Sequence, residues 1–159
     1  MNVGVKAFVV HRKKVLLLLR DNNPLIAHPN AWSLPGGGVE SGEHYDEAIR
    51  RELQEELRIQ PRMILCLGIE TFDDGKSVVR YLVRLNDNEA EKLRLGEGQA
   101  MRFFSPNETL LLPLSPHLEN FLKKNAGVLR KMIEENENVS GQDLGLAPCN
   151  SNNIFYLGE

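Results

Sequence analysis

A chain of 159 residues, 42% hydrophobic and 26% charged, has ample apolar material for one domain with a real core and a short appendage. Nineteen Lys and Arg against 22 Asp and Glu leave a formal net charge of −3, with the basic residues dispersed, so no stable nucleic-acid or anionic-membrane partner is implied. Val15 to Leu19 is apolar but far too short to span a bilayer, and the N-terminus lacks the charged-then-apolar layout of a signal peptide, so a cytoplasmic setting is expected. The two cysteines, Cys66 and Cys149, are far apart and lack metal-type spacing, and Cys66 reads as a buried thiol within an apolar run.

Gly4 to Val10 and Val15 to Arg20 read as two strands joined by the basic turn His11-Arg12-Lys13-Lys14. Asn22-Asn23-Pro24 opens a loop that runs through Trp32-Ser33-Leu34-Pro35 into a turn formed by Gly36, Gly37 and Gly38. Successive glycines let a backbone approach a ligand closely. A helix follows, with an apolar stripe of Tyr45, Ile49, Leu53 and Leu57 and a solvent face of Glu47, Arg50, Arg51 and Gln54. At roughly 100° per residue, Glu52, Glu55 and Glu56 fall within an arc of about 100° on one side of it. Glu56 lands inside the apolar stripe, where lost hydration is costly without a counter-charge, and no Lys or Arg shares its side of the helix. One reading is a solvated, charge-laced helix face. The other is a set of hard oxygen ligands aimed inward beside the glycine turn, suited to Mg²⁺ or Mn²⁺.

Pro61 blocks continuation of the helix. Arg62 to Phe72 and Ser77 to Leu85 then read as strands paired across Asp73-Asp74-Gly75-Lys76, a strong hairpin signal. The first is apolar on both faces, with Met63, Leu65, Leu67 and Ile69 on one and Ile64 and Cys66 on the other. Asn86 to Lys92 reads as a loop, Leu93 to Gln99 as an irregular segment and Ala100 to Phe104 as a strand. Ser105-Pro106 starts one helix, and Ser115-Pro116 starts another that reaches about Lys124. The chain thus divides into a domain at 1–125 and an extension at 126–159. Within the extension, Val128 to Glu135 suggests a short helix and Asn136 to Asn153 is linker-like. Ile154-Phe155-Tyr156-Leu157 is apolar enough to dock on its own sheet or on a second subunit, as in a homodimer.

The stretch Gly37 to Ile59 resembles the signature of the Nudix hydrolases, with Gly37, Glu43, Arg51, Glu52, Leu53, Glu55, Glu56 and Ile59 in place. Arg58 stands where that family has a glycine, which puts the helix C-terminus in question. The resemblance covers roughly Val3 to Lys124 and implies an α/β/α sandwich with a mixed β-sheet and the signature as loop–helix–loop. It also implies hydrolysis at a diphosphate with Mg²⁺ or Mn²⁺ as cofactor. Glu52, Glu55 and Glu56 match the family's metal ligands, Gly36 a further ligand through its carbonyl, and Glu43 with Arg51 an ion pair supporting the site. Glu97, set between Gly96 and Gly98, resembles the later-loop Glu that serves as base or extra ligand in some members, with Glu55 or Glu56 as the alternative base.

Substrate contacts are expected from Arg20 to phosphate, from the backbone at Gly37, and from Trp32 and Phe72 by stacking on a base. Asp74, where ADP-ribose-cleaving members often carry proline, argues against that subfamily. Ser115, or Asn107 nearby, gives no support for an oxidised-guanine reader. The expected substrate is a nucleoside triphosphate or other nucleoside diphosphate derivative, and the alternative is a Nudix-fold module that binds such a ligand without cleaving it.

Overall fold

Side chains alternate across a strand, so a strand that is apolar at both parities must be covered on both faces. In the computed structural model, which describes residues 2–149 and 154–156, β1 (Val3–His11) is such a strand. Val5, Ala7 and Val9 pack to one side and Phe8 and Val10 to the other, all buried. β2 (Lys14–Leu19) folds back antiparallel to β1, with Val10 opposite Val15. Its outer edge takes β7 (Ala100–Phe104), and its last residues, Leu18 and Leu19, also pair on the other edge with β3 (Trp32–Ser33). On the other side of β1 runs β6 (Ser77–Arg84), parallel and in register from Val3–Ser77 to Val10–Arg84, followed by antiparallel β5 (Met63–Thr71).

Two helical layers cover this mixed sheet. α1 (Tyr45–Leu57) buries Ala48, Ile49, Leu53 and Leu57 against Val5, Ala7, Val79, Tyr81 and Val83. The opposite face takes α4 (Pro116–Lys124) and α5 (Ala126–Ile133), which pack Leu118, Phe121, Leu129 and Met132 onto Phe8, Leu17 and Leu82. This is the α/β/α sandwich expected. The short α3 (Pro106–Thr109) opens with the anticipated Ser105 cap and Pro106 at its first position.

Several segments differ from the sequence reading. Gly36–Gly38 is a strand, β4, paired antiparallel with Gly4 to Lys6 of β1, so the glycines lie in the sheet rather than in a turn. The expected loop after β6 contains α2 (Asp87–Glu91), whose start is closed by a reciprocal cap between Asn86 and Glu89. A bulge between Cys66 and Gly68 reverses the side-chain parity of β5, so Ile69 joins Cys66 on the α1 face while Leu65 and Leu67 face the other layer. Cys66 is joined to Cys149 in a disulfide rather than left as a thiol.

As far as residue 149, the segment expected to be linker-like is tied to the core: Leu144 and Leu146 are buried and Ala147 bridges to Ile69. β8 (Ile154–Tyr156) pairs antiparallel with Met63 to Leu65 at the β5 edge of the same chain, while Leu157, the last of the apolar tetrapeptide, lies outside the described residues.

Arg58 resolves the question raised by its departure from the signature. It adopts the left-handed conformation itself, at φ 58° and ψ 34°, and its N–H donates to the Gln54 carbonyl at 3.1 Å. The helix therefore ends as a glycine would end it, at a backbone cost of about 1 kcal/mol for an L side chain. Arg58→Gly is expected to raise the unfolding free energy by about that amount, measured by urea denaturation. A loss of stability in this variant would contradict the left-handed cap.

Candidate active site

The site is assembled by one guanidinium. Arg51, placed by the sequence reading on the solvent face of α1, is half-buried and turned toward the glycine strand. Its Nε donates to Glu43 Oε2 at 2.8 Å and its Nη2 to Glu43 Oε1 at 3.0 Å, a bidentate pair across the loop before α1. Nη2 also donates to the Gly38 carbonyl at 3.0 Å, while Nη1 reaches Glu52 Oε1 at 2.9 Å and Glu55 Oε2 at 3.4 Å. The hydrogen bonds from Arg51 hold the Glu43 carboxyl down at about 2. The same partner, Glu43, pushes the Arg51 guanidinium further up.

The three signature carboxylates occupy different depths. Glu52 is the most buried, at 8% exposure, and burial raises its carboxyl. It lies against Gly37, where any side chain would collide with its carboxyl group. Glu55 is half-exposed. Glu56 is half-buried and accepts the Gly36 N–H at 2.6 Å. Burial pushes Glu56 up to about 7, opposed by the nearby charge of Lys6 and by the Gly36 hydrogen bond.

The expectation that no cation shares this side of the helix is therefore corrected twice, by Arg51 on the helix and by Lys6 from β1. Among the described residues no three acidic or imidazole side chains already converge as a ligand cluster: Arg51 holds Glu52 and Glu55, and Gly36 holds Glu56. The donor set consists entirely of carboxylate and carbonyl oxygens. Two of the carboxyls are raised by desolvation, the condition that a hard divalent cation relieves, so the residues fit Mg²⁺ or Mn²⁺.

Glu97 reaches the site because its loop docks on the end of α1. The Arg94 N–H donates to the Leu57 carbonyl at 3.0 Å and the Gly96 N–H to the Glu56 carbonyl at 2.8 Å, closing helix carbonyls that would otherwise lack partners. A Cβ on Gly96 would strike the Glu55 carbonyl, so only glycine allows this approach. Glu97 and Glu56 consequently line one cavity of about 170 Å³ together with Arg20, Asp21 and Ser33.

Arg20 and Ser33 also line a second cavity of about 170 Å³, which lies against Lys6, Arg80 and the start of α4 at Ser115 to Leu118. Arg20 donates from Nε to the Ala27 carbonyl at 2.8 Å, which holds the loop after β2 at the walls of the two cavities. Phe72 stacks on His117, with ring centroids 3.8 Å apart and planes 15° apart, and His117 lines the second cavity. Ser115 lines that cavity too, whereas Asn107 lies elsewhere and accepts from Arg130 at 3.2 Å. Trp32, expected to stack on a base, lines neither cavity. Its ring meets Phe104 edge-on at 5.0 Å and packs, partly buried, against the second core.

Lys6 and Arg80 were missed as site residues. They are register partners on adjacent strands and share one face of the sheet. The signal was present: each interrupts an apolar strand at a position where both faces should be covered. In the metal-free protein the raised Glu56 carboxyl has a definite sign. Folding favours its protonated form, so the stability it contributes is present below the ordinary carboxylate value of about 4.3 and is lost as pH rises through about 7. The thermal midpoint in EDTA is expected to fall across that window, with a smaller fall in Glu56→Gln. Identical slopes in the two proteins would refute the assignment.

Residues 1–124 match the family described as NUDIX domain. An ADP-ribose pyrophosphatase of Methanocaldococcus jannaschii is 38% identical over 108 residues, covering 66% of this chain and 62% of that protein. The nucleoside triphosphatase NudI of Salmonella paratyphi B is 37% identical over 81 residues, covering 45% of this chain and 55% of that protein. The chain thus spans little more than half the length of these curated relatives. A MutT NUDIX hydrolase from Burkholderia pseudomallei has a crystal structure that superimposes with a TM-score of 0.63 at 27% identity, over 77% of this chain and 95% of that one. The matched residues include β1 to β7, the Arg51-centred loop and α1, and on that ground this chain belongs to the NUDIX family.

Proposed function

We propose that the protein is a divalent-metal-dependent pyrophosphohydrolase of a nucleoside triphosphate or another nucleoside diphosphate derivative. The observation that carries this reading is the pair of desolvated carboxyls on one helix, Glu52 against Gly37 and Glu56 on the Gly36 N–H, with Glu56 lining a cavity that also holds Glu97 and Arg20. Glu52, Glu55, Glu56 and the Gly36 carbonyl would hold Mg²⁺ or Mn²⁺. Such an ion neutralises phosphate charge and acidifies water.

The protein's own part is positioning. Arg51 and Glu43 lock the glycine strand to α1, and Glu97 stands on the cavity wall facing the same space as Glu56, fit to accept the proton of the attacking water. Arg20 offers a guanidinium to phosphate where the two cavities meet. The second cavity, lined by His117, which in turn stacks on Phe72, takes the nucleoside or the second fragment.

The substrate class is drawn to include ADP-ribose. Asp74 leans away from it, but the Methanocaldococcus relative is named for it and the Salmonella relative for nucleoside triphosphates. Both are nucleoside diphosphates carrying a further group. The non-cleaving alternative had Arg58 as its sole support in the sequence, and Arg58 closes the helix in the conformation the family's glycine would take. No helix among the described residues is long and apolar enough to cross a membrane. A cytoplasmic setting is part of the same proposal.

A screen of nucleoside triphosphates, nucleotide sugars, ADP-ribose and dinucleoside polyphosphates with Mg²⁺ and with Mn²⁺ tests the reading. Glu55→Gln and Glu56→Gln are each expected to lower kcat on the best substrate by about 10²-fold or more while the protein stays folded. Wild-type turnover in both variants would exclude this mechanism.

A further inference from the structure

Lys6 stands at the centre of the sheet, opposite Gly36 of β4 and Arg80 of β6 in register. A lysine there is costly to bury without a partner, yet Lys6 makes no ion pair among the described residues. Its Nζ donates to the Leu34 carbonyl at 3.2 Å and to the Gly36 carbonyl at 3.4 Å, both long contacts to neutral acceptors. An ammonium has three donors, so at least one remains, and Lys6 lines the second cavity.

Of the other cations on that wall, Arg80 is fully engaged and Arg20 only in part. Arg80 pairs with Glu70 at 2.9 Å and lies over the Phe121 ring at 4.2 Å, so it serves as wall. Arg20 has its Nε on the Ala27 carbonyl. The two cavities share Arg20 and Ser33, so a substrate reaching from one to the other crosses this shared wall. Glu56 and Glu97 lie on one side of that wall and Lys6 on the other.

We propose that Lys6 is a substrate-binding residue: its ammonium hydrogen-bonds the phosphate that stays with the fragment in the second cavity, while the carboxylates act on the far side of the diphosphate. This rests on the functional reading above. It gives Lys6 a role distinct from a fixed counter-ion of Glu56. A counter-ion would be expected to touch that carboxylate, whereas here the Gly36 N–H holds Glu56 and two carbonyls hold Lys6.

The test uses methylenediphosphonate, an uncleavable analogue of the diphosphate common to every candidate substrate. Its affinity for the full chain in Mg²⁺ is measured by calorimetry in wild type, Lys6→Gln and Lys6→Arg, with Mg²⁺ affinity measured separately in each. Glutamine keeps a hydrogen-bond donor for the two carbonyls and removes the charge. Lys6→Gln is expected to bind the diphosphonate about tenfold more weakly or worse, with Mg²⁺ affinity unchanged or tighter, since one cation has left the carboxylates. Lys6→Arg is expected to stay within about threefold of wild type.

Unchanged diphosphonate affinity in Lys6→Gln overturns the proposal. A parallel loss of diphosphonate and Mg²⁺ affinity also overturns it, since that is the signature of a structural role. Where Lys6→Gln does not fold, Lys6→Met against Lys6→Arg makes the same comparison. Lys6-dependent diphosphonate binding without any hydrolysis would fail the hydrolase reading and leave this inference standing. Hydrolysis with the same KM and kcat in wild type and Lys6→Gln would do the reverse.

Discussion

The Arg51 guanidinium is the contact on which the site's geometry depends. It joins three things that have no other reason to sit together: the loop carboxylate of Glu43, the backbone of the glycine strand at Gly38, and the acidic side of α1 at Glu52 and Glu55. Five hydrogen bonds from one planar fork fix direction as well as distance, which a lysine at the same place would not do. Without it, Glu52 and Glu55 would lose the donor they share, toward the end of α1 where the helix dipole already disfavours negative charge. The protein thus keeps acidic groups in an environment hostile to them, and Arg51 is one of two cations that make this tolerable. Lys6 is the other.

The second structural dependency runs through the end of α1. Its last carbonyls are capped by Arg94 and Gly96 of a loop distant in sequence, and that docking carries Glu97 to the cavity beside Glu56. Stability and chemistry share these contacts. The left-handed Arg58 turns the chain away and leaves the carbonyls of Glu56 and Leu57 open to that loop.

Much of the framework was legible because it follows from local rules. Alternating apolar residues marked the long strands, Ser-Pro pairs marked α3 and α4, and the periodicity of Tyr45, Ile49, Leu53 and Leu57 marked α1. The errors came where a non-local partner decided. Gly36–Gly38 is a strand because β1 offers it hydrogen bonds. The bulge at Gly68 inverted the facing of Ile69 in β5. The polar segment beyond Asn136 is packed because Leu144 and Leu146 find a place against the second core. In each case composition described the residue and the neighbour decided its use.

What the sequence by itself determined is the chemistry available: an oxygen-only set of glutamates at helical spacing, a glycine segment before it and an arginine beside it. Such a set follows from covalent order and the period of a helix, so no distant part of the chain is needed to read it. Tertiary structure alone decided which charges answer the glutamates, because Arg51 turned inward through Glu43, eight positions back, and Lys6 arrived from a strand that meets α1 only in the folded molecule. It also decided that Glu56 and Glu97 face one cavity, which shares Arg20 and Ser33 with the cavity beside Lys6. Counter-charge and cavity are properties of distance in space, and distance in space is set by the packing of the whole sheet.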